Sequence, residues 1–377
     1  MKLAHISDLH LGKQLHNFSL IEDQEFILNR IVSVIKEQKV EVLLIAGDIF
    51  DKNVASLDGI KLFRKFLNDL VKNQIAVMII SGNHDSPERL TFGAEFMKSH
   101  KLYFSKVYDG TIEPVELQDE YGLVNFYLLP FIRPSEVKHF FPDEQIKSYD
   151  DAVRVAVKNL KIDKSQRNII LSHQAIINAQ TCDSEESIIG GLDTISADIY
   201  NDFDYCALGH IHTPQKIRDN VIYCGSPLKY STSEMKKDKS MPIIELGEKG
   251  KIEINYEPLI PLRDIREIKA KFYEIIEMAK KDPYNKEDYI NIILTDENET
   301  MDALSTLRES YPNIIHLSYE NSSTQNTANL DDIVFDNKTS PLELFEDFFE
   351  NRSGRQLTSE EKDFMQNLIE KIWGDNL

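Results

Sequence analysis

The N-terminal stretch LAHISDLHLGK, residues 3–13, joins a short apolar run to a carboxylate and an imidazole. The run Leu3–Ile6 has the length and apolar content of a buried strand, and Asp8 and His10 follow it directly. Two later apolar runs, Val42–Ala46 and Val77–Ile80, also end in polar residues, in the stretches AGDIFD and SGNHDS. Three strands that each end in acidic, amide or imidazole side chains indicate a site at the ends of the strands.

Amphipathic segments separate these apolar runs. Ile27, Ile31 and Ile35 recur at helical spacing between the first two runs, and Leu62 and Phe66 do so before the third. This strand–helix–strand order predicts an α/β fold with a largely parallel central sheet. Further strand-like runs are Val124–Leu129, Ile169–Leu171, Tyr205–Leu208, Val221–Cys224 and Pro242–Leu246. Asp109-Gly110 is a hairpin signal.

The pattern after Pro261 predicts a second, smaller unit. Strand-like runs at 265–272, 289–294 and 314–319 are separated by helical stretches at 273–281 and 301–311. We therefore predict a first domain over residues 1–257, a small α/β domain over 258–320, a polar linker over 321–337 and a helix–loop–helix over 338–377.

The predicted terminal helices each begin at a capping sequence, at Ser340-Pro341 and at Thr358-Ser359-Glu360-Glu361. Two short helices cannot bury both apolar stripes on each other alone, so we expect them to bind a partner. The alternative is that they fold back on the first domain. The candidate contact residues are Leu342, Phe345, Phe349, Phe364, Leu368 and Trp373.

Composition restricts the classes of protein that need consideration. The 377 residues include 43 basic and 63 acidic side chains, a formal charge of −20, so long-range attraction to DNA or to an acidic membrane is not expected. Bound divalent cations would reverse that sign locally, so nucleic acid remains open as a substrate. Three cysteines without a C-x-x-C pair argue against a disulfide framework or a thiolate zinc site. No signal sequence or membrane-spanning run is recognisable, so a cytoplasmic protein is expected.

Seven polar side chains follow predicted strands and form a candidate metal centre. They are Asp8, His10, Asp48, Asn83, His173, His210 and His212. Because the carboxyl ends of parallel strands open into a shared crevice, we expect these side chains to lie together. Carboxylates, an amide oxygen and imidazoles suit Mn²⁺, Mg²⁺ or Fe²⁺, and seven ligands suit two ions roughly 3.5–4 Å apart. Each short motif alone is more often an ordinary loop; five of them in order favour a site.

In this order the motifs Asp-x-His, Gly-Asp-x-x-Asp, Gly-Asn-His-Asp, a further His and Gly-His-x-His resemble the calcineurin-like metallophosphoesterases. Within that superfamily, the chain resembles the SbcD family of bacterial nucleases. The resemblance is carried by LGK at 11–13, by GSPL at 225–228 and by the terminal helices. The resemblance implies a core of central sheets flanked by helices, with a small cap domain. It assigns one metal ion to Asp8, His10, Asp48 and His212, and a second to Asp48, Asn83, His173 and His210, with Mn²⁺ as the preferred ion.

The resemblance also implies a reaction and its partners. The chain would be a DNA nuclease, a 3′→5′ exonuclease on duplex ends and an endonuclease on hairpins and single strands, and it would act as a dimer with an SbcC-type ATPase in DNA repair and recombination. His84 would assist the leaving group, with Asp51 as its orienting partner. Lys13, Lys52 and Arg89 are candidates for DNA phosphate contacts, or else solvated loop charges. Two rival functions are a phosphoesterase acting alone on nucleotides or phosphoproteins, and a scaffold without enzymatic activity.

Overall fold

The computed structural model describes residues 1–185, 193–282, 284–321, 342, 345–346, 349–350 and 355–373. The chain divides into two compact units, Met1–Asp264 and Ile265–Leu377.

The strands are β1 (Lys2–Ile6), β2 (Gln14–Leu15), β3 (Phe18–Ser19), β4 (Val42–Ala46), β5 (Ala76–Ile80), β6 (Leu102–Phe104), β7 (Val115–Asp119), β8 (Gly122–Leu128), β9 (Arg167–His173), β10 (Ala175–Ile176), β11 (Thr194–Ile195), β12 (Tyr205–Gly209), β13 (Gln215–Arg218), β14 (Val221–Tyr223), β15 (Ser240–Leu246), β16 (Ile252–Pro258), β17 (Ile265–Ala270), β18 (Tyr289–Leu294) and β19 (Ile314–Tyr319).

The helices are α1 (Ile21–Glu37), α2 (Leu57–Lys72), α3 (Pro87–Leu90), α4 (Ala94–Met97), α5 (Pro134–Phe140), α6 (Tyr149–Lys158), α7 (Phe272–Ala279), α8 (Ala303–Arg308) and α9 (Ser359–Trp373).

The first unit contains two six-stranded sheets. One has the order β16-β15-β1-β4-β5-β6 and the other the order β13-β14-β12-β9-β8-β7. In each sheet the inner strands pair in parallel, while antiparallel strands lie toward one or both edges. Strands β4 and β5 are buried along their whole length, which explains why they are unbroken apolar runs.

A hydrophobic core lies between the two sheets. Leu44 and Met78 from the first sheet pack with Phe126, Ile169 and Tyr205 from the second. A separate core on the other side of the second sheet includes residues of α5 and α6. The central sheets that the resemblance implies are therefore confirmed, and there are two of them, a number that the apolar runs alone do not give because they indicate strands but not their partners. The hairpin signal was also misplaced: the turn joins β7 to β8, and Asp109-Gly110 lies in the loop before β7.

A buried ion pair joins β7, β9 and the turn after β15. The Arg167 guanidinium is almost completely buried and donates to the Asp119 carboxylate and to the carbonyls of Gly122 and Gly247. These contacts hold the pKa of Asp119 well below its ordinary value, since the hydrogen bond from Arg167 outweighs the opposing effect of burial.

The second unit is built on the parallel sheet β17-β18-β19, with a core shared by α7 and α8. Strand β17 ends earlier than predicted because α7 starts at Phe272, where the Lys271 N–H donates to the Glu274 carboxylate. The capping box predicted at Thr358 is present, since Thr358 and Glu361 hydrogen-bond each other's main-chain N–H groups. Except for Asn321, the predicted linker lies outside the described residues. Positions 342, 345–346 and 349–350 are helical.

Candidate metal centre

The carboxyl ends of strands from both sheets of the first unit supply the candidate ligands. Asp8 and His10 follow β1, Asp48 follows β4 and Asn83 follows β5. The second sheet supplies the other three: His173 ends β9, and His210 and His212 follow β12. All seven predicted ligands therefore lie along the junction of the two sheets, although they come from five separate segments of the chain.

Main-chain hydrogen bonds join the first two ligand loops. The Asp8 N–H donates to the Gly47 carbonyl at 3.0 Å, and the His10 N–H donates to the Asp48 carbonyl at 3.0 Å. Asp8, His10, Asp48 and His210 all have positive φ angles, of 54°, 43°, 50° and 94°. Such backbone conformations cost non-glycine residues about 1–3 kcal/mol each and persist where the surrounding structure imposes them, often at functional sites.

Two glycines allow the loops to approach each other this closely. A Cβ atom at Gly82 would collide with the Asp48 carboxylate, and one at Gly209 would collide with the Ala46 carbonyl and the His173 ring. The glycines of the Gly-Asn-His-Asp and Gly-His-x-His motifs therefore provide the space in which the ligands converge.

The first of two ligand clusters contains Asp8, His10 and His212. Their ligand atoms lie within 4.8 Å of one another, and His10 Nε2 is 3.1 Å from His212 Nε2. Burial raises the pKa of Asp8 to about 7. A cation placed between these atoms would favour the charged carboxylate and separate the two imidazole lone pairs.

The second cluster is centred on the amide oxygen of Asn83, which the rings of His173 and His210 approach. Asn83 Oδ1 is 3.0 Å from His173 Nε2 and 3.1 Å from His210 Nδ1. Asp48 Oδ2 lies 3.3 Å from His173 Nε2 and 3.6 Å from His10 Nε2, so this one carboxylate faces both clusters.

The donor atoms fit divalent metal ions. His173 Nδ1 lies 2.8 Å from the Ala46 carbonyl and donates to it, which directs Nε2 toward Asn83 and Asp48, as expected of a metal-ligating imidazole. Among the described residues, the buried Asn83 Nδ2 has no hydrogen-bond partner, although its oxygen is turned into the cluster. A cation between the amide oxygen and the two imidazoles would stabilise this orientation of Asn83.

The protonation states of three of the four imidazoles suit metal ligands. Burial lowers the pKa of His10 and of His210 to about 3, and it also lowers the pKa of His212 well below its usual range. These three imidazoles are therefore neutral at pH 7. Burial opposes the charges on Asp48 and His173, but their mutual attraction outweighs it, so the pKa of Asp48 lies well below its usual range and that of His173 is raised to about 9.

His84 lies at the border of the first cluster, with its ring centroid 4.8 Å from that of His10. Its main-chain N–H donates to Asp48 Oδ1 at 2.9 Å, and its Nδ1 donates to the main-chain carbonyl of Asp51 at 2.9 Å. The Asp51 carboxylate instead accepts from Lys13 Nζ at 2.9 Å. The expected contact between Asp51 and His84 is thus made by the main chain of Asp51, which the sequence motif does not reveal.

The three candidate DNA-contact residues have different surroundings. Lys13 pairs with Asp51 and lies over the Tyr230 ring, Lys52 is exposed, and Arg89 donates to the Asn53 carbonyl. Arg89 also lines a cleft of about 600 Å³ that reaches Asn83.

Two residues of this cleft were not recognised from the sequence. The Arg133 guanidinium lies 5.2 Å from the centroid of the Phe131 ring, whose edge approaches the His173 ring at a centroid distance of 6.4 Å. Their signal was present, because the stretch PFIRP directly follows the predicted strand Val124–Leu129, as the ligand motifs follow theirs. Four residues around His212 were also missed, namely Ser184, Glu185, Glu234 and Lys239.

None of the helices in the described part of the chain is long and apolar enough to cross a membrane.

Comparisons with known proteins agree with the site. A family model described as the calcineurin-like phosphoesterase matches residues 1–214, and the SbcD_C model, described as the type 5 capsule protein repressor C-terminal domain, matches residues 261–353. The SbcD subunit of the SbcCD nuclease of Staphylococcus epidermidis is 31% identical over 380 residues, covering 99% of this chain and 99% of that protein.

Two solved structures are also similar. A dimetal phosphatase from Danio rerio has a TM-score of 0.42 at 12% identity, covering 69% of this chain and 96% of its own. The protein TT1561 of Thermus thermophilus has a TM-score of 0.39 at 13% identity, covering 68% and 98%. Because the phosphoesterase model matches more than half of the chain and the staphylococcal nuclease aligns with nearly all of it, the chain belongs to the calcineurin-like phosphoesterases and, within them, to the SbcD nucleases, which are phosphodiester hydrolases.

Proposed function

We propose that this protein hydrolyses DNA with two divalent metal ions, one held by Asp8, His10, Asp48 and His212 and the other by Asp48, Asn83, His173 and His210. The observation that carries the proposal is the position of Asp48, whose Oδ2 atom faces His10 in one cluster and His173 in the other. The donor set favours Mn²⁺, with Mg²⁺ and Fe²⁺ as alternatives.

When bound, the ions would activate water for attack at neutral pH and stabilise the charge of the phosphoryl group. The chain itself would supply the remaining steps. Asp8 and Asp48 contribute only two negative charges, so the loaded centre stays locally positive and can accept a phosphodiester despite the acidity of the chain. His84, held through Nδ1 by the Asp51 carbonyl, would transfer a proton from Nε2 to the leaving oxygen.

The cleft beside Asn83 supports a nucleotide substrate. Arg89 and Arg133 offer guanidinium groups for phosphate, while Phe131 offers a ring on which an unpaired base can stack. A volume of about 600 Å³ is within the range of small-ligand sites. This combination of cations and an aromatic ring favours DNA over a phosphoprotein, the substrate of one rival function.

We further propose the activities and partners typical of SbcD nucleases. These are 3′→5′ exonuclease action on duplex ends and endonuclease action on hairpins and single strands, in complex with an SbcC-type ATPase. This nuclease activity would serve DNA repair, recombination and replication in the cytoplasm, at the nucleoid. Residues 1–257 would form the nuclease domain, 258–320 the capping domain, 321–337 a linker and 338–377 the ATPase-docking segment.

An exposed apolar patch on the first unit supports a homodimer within the larger complex. Phe92 and Phe96, in and near α3 and α4, are 85% and 86% exposed, and Phe92 lines a surface groove with Val54, which is 71% exposed. Exposed aromatic side chains of this size mark surfaces that bind other proteins. A second copy of this chain is the proposed occupant, because a two-fold axis would bring the same apolar side chains of both copies together.

The terminal helices supply the proposed surface for the ATPase. In α9, Phe364 is 67% exposed and Leu368 is 38% exposed. Leu342, Phe345 and Phe349 are half-buried, and the side chain of Trp373 lies outside the described residues. The exposed apolar side chains of α9 are consistent with a partner that covers them.

The test is Mn²⁺-dependent cleavage of three substrates, a hairpin DNA, a mononucleotide diester and a phosphopeptide, with the His84→Ala variant as control. We expect cleavage of the hairpin by the wild type and its loss in the variant. Turnover of the diester or phosphopeptide without DNA cleavage would favour the rival phosphoesterase. If none of the three substrates is cleaved even when the ATPase partner is added, the result would favour the rival function of a scaffold without enzymatic activity.

A further inference from the structure

His212, a proposed ligand of the first metal ion, is connected to a chain of polar groups behind it. Its Nδ1 atom lies 2.7 Å from the Ser184 hydroxyl, and that hydroxyl donates to Glu234 Oε1 at 2.7 Å. Because Ser184 gives its only proton to the carboxylate, its oxygen must accept the proton of His212 Nδ1. The neutral ring then carries its lone pair on Nε2, the atom that faces His10 Nε2 in the first cluster.

Glu234 is completely buried and is paired with a buried lysine. Lys239 Nζ donates to Glu234 Oε2, to the Ser226 hydroxyl at 2.8 Å and to the main-chain carbonyl of His212 at 2.7 Å. All three protons of the lysine are therefore donated within the protein. A buried ion pair is tolerated when its remaining hydrogen-bonding groups are satisfied in this way.

The main chain of His212 is fixed at both of its polar atoms. Its N–H donates to Glu185 Oε1 at 2.6 Å, while its carbonyl accepts from Lys239. Ser226 belongs to the GSPL stretch at 225–228, which the proposed metal centre does not use. Its hydroxyl donates to the Leu228 carbonyl and accepts from Lys239, so this stretch forms part of the support behind His212.

We propose that Ser184, Glu234 and Lys239 are positioning residues that fix the Nδ1–H tautomer of His212 and so set the affinity of the first metal ion. The inference rests on the proposed two-metal centre and adds the groups that orient one of its ligands. Ligand orientation through the second ring nitrogen is a general feature of metal-binding histidines, and its loss typically weakens metal binding by about 10–100-fold.

The experiment compares Mn²⁺ binding by the wild type and by Ser184→Ala, using calorimetric titration together with the electron paramagnetic resonance spectrum of Mn²⁺. Ser231→Ala is the matched control, because Ser231 also donates to Glu234 Oε1, at 3.2 Å, but does not reach His212 in the described contacts. Ser184→Thr restores a hydroxyl and serves as the rescue.

In Ser184→Ala we expect one of two Mn²⁺ ions to bind about 10–100-fold more weakly while the other keeps its affinity. At an Mn²⁺ concentration that fills both sites of the wild type but only the tighter site of Ser184→Ala, the wild type should give the spectrum of a spin-coupled pair and the variant that of a single ion. Ser231→Ala should bind as the wild type does, and Ser184→Thr should recover most of the lost affinity.

Unchanged binding of both ions by Ser184→Ala would overturn the inference. Equal weakening of both ions, reproduced by Ser231→Ala and accompanied by a lower Tm, would also overturn it, because the hydroxyl would then have a general structural role. The titration contains no DNA, so a wild type that binds Mn²⁺ but leaves hairpin DNA intact counts against the proposed function alone.

Discussion

His84 Nδ1 donates a hydrogen bond to the main-chain carbonyl of Asp51 at 2.9 Å, while the Asp51 carboxylate pairs with Lys13. The histidine is thus oriented by a group that no substitution of the Asp51 side chain removes. We expect His84→Ala to lower kcat on hairpin DNA by about 10²–10⁴-fold and to retain both metal ions. We expect Asp51→Asn to lower kcat by less than about tenfold, since the carbonyl remains. Equal losses in the two variants would show that the carboxylate orients His84.

Asp48→Ala should reduce the metal content of the protein from two ions toward none. The reason is that one carboxylate faces both ligand clusters, so its removal withdraws charge from both. Elemental analysis after equilibration with Mn²⁺ measures the change, and Asp58→Ala, on the exposed start of α2, provides a control for the loss of one carboxylate. Two ions still bound to Asp48→Ala would refute the bridging position.

Charge introduced into the apolar patch should convert the proposed dimer to a monomer. We expect Phe92→Asp combined with Phe96→Asp to halve the mass measured by sedimentation equilibrium, because desolvating two carboxylates opposes burial of this surface. Tyr256→Asp, at an exposed position of β16, should leave the mass unchanged. A double variant with the mass of the wild type would exclude the patch as the interface between the two copies.

Removal of residues 338–377 should abolish co-elution with an SbcC-type ATPase in gel filtration and leave the nuclease domain folded. A single substitution tests the same surface without truncation. Phe364→Asp should weaken co-elution, while Gln366→Asp, exposed on the same helix, should have little effect. Continued co-elution of the truncated protein would show that the ATPase binds elsewhere.

The Arg167–Asp119 pair predicts a pH-dependent contribution to stability. The pKa of Asp119 is lower in the folded state than in the unfolded state, so its contribution is complete above about pH 5 and declines as the pH falls through the unfolded value near 4. Asp119→Asn should lower the free energy of unfolding by about 3–5 kcal/mol at pH 7, because a buried guanidinium loses its charged partner. Urea denaturation at pH 7 and at pH 3.5 measures this difference, which should be smaller at the lower pH. A difference independent of pH would mean that the pair does not control the titration of Asp119.

Local patterns were sufficient to predict the strands that end in ligands, because a buried strand followed directly by Asp, Asn or His is visible in a few adjacent residues. They were not sufficient to predict that β1 and β9 belong to different sheets, because pairing depends on contacts between residues far apart in the chain. The same reason explains why Ser184 and Glu234 were missed. Neither has a neighbour in the sequence that indicates a metal site, and they meet His212 only after the loops before and after it have folded together.

The hydrogen bonds between the loops at residues 8–11 and 47–49 have a consequence for the choice of metal. The three bonds, from Asp8, His10 and Leu11 to the carbonyls of Gly47, Asp48 and Ile49, extend the parallel pairing of β1 and β4 beyond the strands. The two loops therefore cannot shift independently to suit ions of different radius. An ion too large for one proposed position would displace the loop that also serves the other, so the two proposed positions would select their ions by size together.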